Sequence, residues 1–174
     1  GEPAAESHAT GLVSRAAMTI GGSMWLMPAP GVVTSEESAI LLRSDRSISQ
    51  ALERVGTVNI AFVGIGNPTR DSLLMRDEFI ISWPEMEELI HQGAIGDISL
   101  RYYDINGQLI NSNLNKRVIG ITLDDLRKIN RVVGVAGGEE KLNAILGAIH
   151  GKLINTLITD TNTANRLLEY NDQI

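Results

Sequence analysis

The sequence predicts an α/β domain in which helices flank a mostly parallel sheet, and three observations predict it. Beyond residue 57, short apolar runs alternate with helix-periodic segments, the order of βαβ units. The run "VNIAFVGIG" is apolar without alternation, the pattern of a strand covered on both faces. Glycine turns follow two of the strands directly, at Gly64–Gly66 and Gly137–Gly138, where open α/β sheets collect ligands.

Taken in order, residues 9–20 place Leu12, Val13, Ala16, Ala17 and Ile20 at helical spacing, with Gly21–Gly22 as the stop. "MWLMPAP" reads as a strand ending in a rigid loop, because Pro28 and Pro30 have no N–H for a ladder. Residues 36–55 read as one or two helices with Ile40, Leu41, Ile48, Leu52 and Val55 inward and Gly56 as terminator. After the strand at 58–66, "SWPEMEELIHQG" carries Ser82 near a helix start and Pro84 in the first turn, puts Met86, Leu89 and Ile90 inside, and ends at Gly93. Asn106–Gly107 between extended runs predicts a β-hairpin. Thr122 and Asp125 open a short helix. "RVVGVAGG" then reads as strand and turn, "EEKLNAILGAIHG" as helix, "LINTLITD" as strand and "TNTANRLLEY" as a closing helix. Tyr102, Tyr103 and Trp25 read as core or cover residues.

Composition bounds the function. The 174 residues, 43% apolar and 21% charged, fit one domain spanning 1–174 with a full-sized core. With 15 Lys and Arg against 21 Asp and Glu, the net charge of −6 lacks the basic footprint of phosphate-backbone binding, so any contact with DNA must come from elsewhere. Cysteine is absent, which removes disulfides, thiolate metal sites and thiol nucleophiles and suits a reducing cytoplasm. His8, His91 and His150 lack zinc-ligand spacing, and the reading includes no metal and no cofactor. The longest apolar runs fall short of the roughly 20 residues that cross a bilayer, so the sequence reads as soluble and cytoplasmic. It begins at Gly1 rather than at a methionine, which reads as a fragment boundary with chain missing upstream.

The candidate chemistry lies after the strands. Gly137 and Gly138 allow close backbone approach, and the free amides of a helix's first turn make an anion site. Lys141 falls in that turn, about 100° from the centre of the apolar stripe formed by Leu142, Ile145, Leu146 and Ile149. A lysine where the helix dipole disfavours it is explained by a phosphate that joins both; alternatively Glu139 and Glu140 offset it and it is a solvated helix residue. Gly64–Ile65–Gly66 lacks the third glycine of a dinucleotide fingerprint and reads either as a tight turn or as a ligand-facing loop. Asp104 can accept from two sugar hydroxyls, or it can satisfy turn backbone ahead of Asn106–Gly107. Asp97 and Asp160 also follow strands and read as capping or turn residues.

The succession "LMPAP", "AFVGIG", "GAIGDISLRYYDINGQ", "RVIGITLDDLRKI", "VVGVAGGEEKLNAILGAI" and "INTLITDTNTANRLL" resembles, from about residue 10 to residue 168, the C-terminal sugar-binding, or effector-binding, domain of SorC/DeoR-type bacterial transcriptional regulators. The resemblance implies a Rossmann-like fold similar to sugar-phosphate isomerases and glucosamine-phosphate deaminases, with a β-hairpin insertion. It implies a domain that senses a phosphorylated sugar and thereby changes operator affinity through a dimer or tetramer. Matched by position, Lys141 corresponds to the family lysine that meets phosphate or sugar and Asp104 to the acid that binds hydroxyls. Pro28 and Pro30 match the pocket-lining loop, Gly64 and Gly66 the strand-end glycines, and Gly137, Gly138 and Glu139 complete the expected ligand surface. Two features depart from the family. Its strand–turn–helix with a glycine-rich phosphate turn and its helix-turn-helix DNA-binding module do not occur in this chain, and Tyr102–Tyr103 replace a common pair of phenylalanines. The competing readings are an active isomerase or deaminase, with Glu139 or Asp104 nominated as acid, and a subunit-contact domain that has lost its ligand.

Overall fold

Residues 9–70, 72, 75 and 81–171 are described by the computed structural model. Three strands, β1 (Ile60–Gly64), β4 (Arg131–Val135) and β5 (Thr156–Ile158), form a parallel sheet in the order β1-β4-β5. Ile60 pairs with Arg131 and Gly64 with Val135, so β1 and β4 end side by side. The other two strands, β2 (Gly96–Ile98) and β3 (Arg101–Tyr103), make an antiparallel hairpin whose Asp97 bridges to Gly66, just beyond β1.

One face of the parallel sheet is packed. Ala61, Val63, Val132 and Leu157 meet a core of Ile65, Ile98, Tyr103, Ile145 and Leu153 with Leu123 and Leu126 of α6 (Leu123–Arg127). The helix α7 (Leu142–His150) supplies Ala144, Ile145 and Ala148 to the same core. Among the described residues, the other face is largely uncovered. Burial alternates along β1, and Phe62 is 72% exposed beside exposed Ile60, Val135 and Ile158. The expectation of a strand buried on both faces is therefore corrected for β1; Val132 and Val133 of the central β4 have that environment, because only the central strand is flanked on both edges.

A second cluster gathers Ile81, Tyr102, Ile110 and Leu114 around α4 (Trp83–His91), which begins at Ser82 with Pro84 in its first turn, as expected, and closes a Ser82–Glu85 capping box. Met86 and Leu89 face inward, but Ile90 is exposed. Glu85 also takes the Arg117 guanidinium of α5 (Asn113–Arg117) at 2.7 Å, tying α4 to α5. The region 36–55 resolves into two helices, α2 (Glu36–Ser44) and α3 (Arg46–Val55), because extended Asp45 breaks the run and caps α3. That break turns Ala39, Leu42, Ile48 and Leu52 inward and leaves Ile40 and Leu41 exposed, contrary to expectation.

Three further expectations change. The helix α1 (Ala9–Ile20) forms, but its stripe is uncovered, with Ile20 80% exposed. Residues 24–30 form no strand; Ala29 N–H turns back to Met27 O at 2.9 Å while Met27 and Ala29 pack on the cluster of Ala39, Ile48 and Ile119. Trp25 is exposed with the Arg54 guanidinium stacked 4.0 Å from its ring centre, whereas Tyr102 and Tyr103 are fully buried as read. The hairpin ladder closes at Ser99–Leu100, both at positive φ, in the manner of a type I′ turn. The Asn106–Gly107 turn is present one reversal later, bridging Tyr103 to Leu109. The chain closes with α8 (Thr161–Asn171).

Gly107 sits at φ +69°, and a Cβ there would lie 2.6 Å from Gly147 O, against the backbone of α7. Positive φ and backbone collision act together. Gly107→Ala is expected to lower stability by about 2–4 kcal/mol, measured by urea unfolding; a change below about 0.5 kcal/mol would show that the turn shifts freely.

Candidate functional site

The parallel register of β1 and β4 delivers two loops to one rim: Ile65–Gly66–Asn67 after β1 and Ala136–Gly137–Gly138 after β4. Lys141 bridges them. A short 3₁₀ turn, Glu139–Lys141, precedes α7, so Lys141 is the N-cap of that helix rather than a residue of its first turn. Its amide donates to Gly138 O at 3.1 Å, and its half-buried ammonium reaches across to donate to Ile65 O at 3.0 Å. Asn67 Nδ2 returns the link by donating to Glu140 O at 3.2 Å.

Asp97 completes the arrangement. Its backbone exchanges two hydrogen bonds with Gly66, of 3.0 and 3.1 Å, and its carboxylate accepts the Leu100 amide at 3.2 Å. A Cβ on Gly66 would run into Asp97 Oδ1, so this position requires glycine for close approach. Burial pushes the Asp97 carboxyl up to about 6, while the Leu100 N–H and the Lys141 charge pull it down more weakly. A cation and an acid of raised proton affinity thus face one rim, a combination typical of binding and reacting sites.

The glycine turn is held from the other side. Gly138, at φ +101°, donates its amide to Asp160 Oδ2 at 3.0 Å and Thr163 Oγ1 at 2.9 Å. A Cβ on Gly137 would strike the same carboxylate. Hydrogen bonds from the Thr163 hydroxyl, then from backbone amides, hold Asp160 down to about 2. The expected free amide at Gly138 is therefore spoken for; among the described residues, the amides of Gly137, Glu139 and Glu140 on this turn donate to no protein acceptor. A cavity of about 510 Å³ opens beside the turn, lined by Gly138, Glu139, Asp160, Thr163 and Arg166. Glu139 faces Arg166 there at 3.5 Å.

The structure therefore brings together Lys141, Gly66, Gly137, Gly138 and Glu139, with exposed Gly64 at the end of β1. It does not bring Asp104 to them. Asp104 Oδ1 accepts the amides of Asn106 at 2.9 Å and Gln108 at 2.8 Å, and its turn lies against Gly147 and Gly151 at the C-terminal end of α7. The turn role is the one realised, because two amides two and four residues ahead outcompete any distant partner. Pro28 and Pro30 lie on the loop packed against the Ala39, Ile48 and Ile119 cluster, and Gly31 after them lies against Leu100 of the turn that holds Asp97. The Tyr103 hydroxyl donates to Ala144 O at 2.8 Å inside the core and faces neither pocket nor water.

Asp97 and Asn67 enter from the structure. Asp97 does have the turn role read for it, on the Leu100 amide, but its place beside Lys141 depends on a bridge between segments far apart in sequence, for which no local signal exists. Among the described residues no three His, Asp or Glu are placed to hold a metal ion; His8 lies outside them.

Comparison with known proteins agrees with this fold. The family model described as "Putative sugar-binding domain" matches residues 1–169. "Transcriptional regulator LsrR" of Enterobacter sp. (strain 638) is 36% identical over 151 residues, 84% of this chain and 46% of that protein. The "Deoxyribonucleoside regulator" of Bacillus subtilis (strain 168) is 35% identical over 142 residues, 82% of this chain and 45% of its own length. The full-length sorbitol operon regulator SorC from Klebsiella pneumoniae superposes with a TM-score of 0.88 at 30% identity, covering 97% of this chain and 54% of that one. The chain spans about half the length of these relatives, and their names are those of regulators rather than enzymes. With a family match over nearly its whole length and regulators of this kind as its relatives, the chain belongs to the sugar-binding domain family carried by bacterial transcriptional regulators.

Proposed function

We propose that the domain senses a phosphorylated sugar in the cytoplasm and, as part of a homo-oligomeric regulator, passes its occupancy to a helix-turn-helix module elsewhere in the full-length protein. The observation that carries this reading is the Lys141 ammonium on the Ile65 carbonyl beside the Asp97 carboxyl, at the carboxyl ends of parallel strands. A backbone carbonyl is a weak partner for an ammonium, and a phosphate or sugar oxygen outcompetes it with a charge-assisted bond. The amides of Glu139 and Glu140 supply further donors for the anion. Asp97, once ionised, accepts sugar hydroxyls. Relatives named for deoxyribonucleoside and sorbitol support a polyhydroxylated effector. The open face of β1 supports a further strand–turn–helix of the regulator packing there, which would add the remaining wall of the pocket.

Lys141→Ala is expected to weaken binding of hexose or pentose phosphates by at least about tenfold while leaving the unphosphorylated sugars within about twofold, measured by titration calorimetry. Equal weakening of both would remove Lys141 from the phosphate. The same samples separate sensor from enzyme, since saturable heat without product marks a sensor and turnover marks an isomerase or deaminase.

Asp97 gives a second test through pH. Its folded-state value of about 6 lies above the ordinary 3.8, so the native state holds this proton more tightly than the unfolded chain. The group's contribution to stability is present in full below about pH 4 and is lost as pH rises through about 6. Asp97→Asn removes that loss: the variant is expected to exceed the wild type by at most about 3 kcal/mol above pH 6, converging with it near pH 4, while binding the sugar phosphate more weakly at pH 7. Denaturant unfolding against pH, paired with calorimetry, checks both halves; a destabilised variant of unchanged affinity would make Asp97 a residue of the fold alone.

A further inference from the structure

A second cavity, of about 640 Å³, lies between the α2–α3 helical pair and the segment joining α5 to α6, and it shares no lining residue with the Lys141 rim. Two guanidiniums line it. Arg101, 6% exposed, donates Nε to Ile121 O at 3.3 Å, Nη2 to Val118 O at 3.3 Å and Nη1 to Asn115 O. Arg43 donates Nη2 to the same Val118 O at 2.6 Å and to Lys116 O at 3.4 Å.

These bonds satisfy donors without neutralising charge. A carbonyl carries a partial charge, and buried full charges are ordinarily paired. Among the described residues, neither guanidinium lies within ion-pair distance of a carboxylate. Of the other ionisable side chains lining the cavity, Glu36 is taken by Lys116 at 3.3 Å and Asp125 by Lys128 at 2.8 Å, which leaves Glu53, exposed at the rim. Burial first, and the neighbouring Arg43 second, lower the proton affinity of Arg101, as expected for two like charges converging without a counterion. Capping the carbonyls after α5 accounts for the donors, since a carbonyl accepts two; it does not account for two cations converging without a counterion, nor for the open volume beside them. Asn115, also lining the cavity, buries a side-chain oxygen without a hydrogen-bond partner.

We propose that this cavity is a second ligand site, separate from the Lys141 rim, for a small anion with a carboxylate or phosphate group held between Arg43 and Arg101. The forked guanidiniums suit a planar or tetrahedral oxyanion, and such a ligand would clamp α2 to the α5–α6 segment. Glu53 at the mouth opposes anions, so removing its charge tightens binding.

The test is run in the Lys141→Ala background, which silences the first site. Melting is followed against inorganic phosphate and against malonate, with ionic strength matched by sodium chloride. A saturable rise in Tm with either probe is expected, and the probe that gives it identifies the ligand as phosphate or carboxylate. Added Glu53→Gln is expected to lower the apparent Kd about threefold, added Arg43→Gln to raise it at least about tenfold, and Arg43→Lys, which keeps the charge but loses the fork, to fall between. No rise with either probe above the salt control, or an undiminished rise with Arg43→Gln, overturns the proposal.

Discussion

The candidate site depends on the parallel pairing of β1 with β4. That register sets Gly64 opposite Val135, and every later feature of the rim follows from it. The loop after β1 then presents the Ile65 carbonyl to the turn after β4, within reach of one lysine side chain. Parallel strands point all their carboxyl ends one way, so two loops distant in sequence meet at one edge without further specification. The hairpin joins the same edge because Asp97 extends the ladder from Gly66, and the Ser99–Leu100 turn then holds the Asp97 carboxylate through the Leu100 amide. A register slip by one residue would turn Ala61 and Val63 out of the core and take Ile65 away from Lys141 at once. The packing that stabilises the sheet and the geometry that makes the rim are therefore the same constraint.

The two ends of α7 show how one helix separates two acids with similar sequence settings. At its N-terminal end, Lys141, Asn67 and the doubly bonded Gly138 hold the rim. At its C-terminal end, Gly147 and Gly151 admit the Gly107 turn, Arg127 donates to Gly107 O at 2.7 Å and Gly151 O at 2.9 Å, and Asp104 closes the turn internally. Both acids follow strand-like runs. Only Asp97 lies where a parallel strand ends, and burial there raises its proton affinity.

Much of this was legible in the chain, and what was not has a common physical origin. Local signals held: Ser82 at the start of α4, Thr122 on the Asp125 amide, the Asn106–Gly107 turn, the helix over 9–20 and the strand over 131–135 are each decided within a few residues. Lys141 was singled out because its charge conflicts with the helix dipole; the structure resolves the conflict by inserting a 3₁₀ turn that moves it to the N-cap, a boundary shift that periodicity does not reveal. Facing was less legible. Ile40, Leu41 and Ile90 fit an apolar stripe by spacing yet point outward, because the partner surface at each helix was set by elements far along the chain. Asp97 was legible as a turn residue and not as a neighbour of Lys141, since nothing near it encodes the bridge to Gly66.

Placing the acid by bridge rather than by local motif has a chemical consequence. The Asp97 carboxyl is costly to ionise where it sits, and a fold selected for stability alone would hold a neutral residue there. A nearby ammonium relieves part of that cost, but Lys141 spends its hydrogen bond on the Ile65 carbonyl instead of forming a closed pair with the acid. The two groups stand as an unquenched donor and acceptor on a rigid scaffold of strand ends, each with an inferior partner. A ligand carrying both a negative oxygen cluster and hydroxyl donors would improve both interactions in one step. An ion or a bare sugar would improve only one, and that is the physical basis on which we propose a phosphorylated sugar rather than either of its parts.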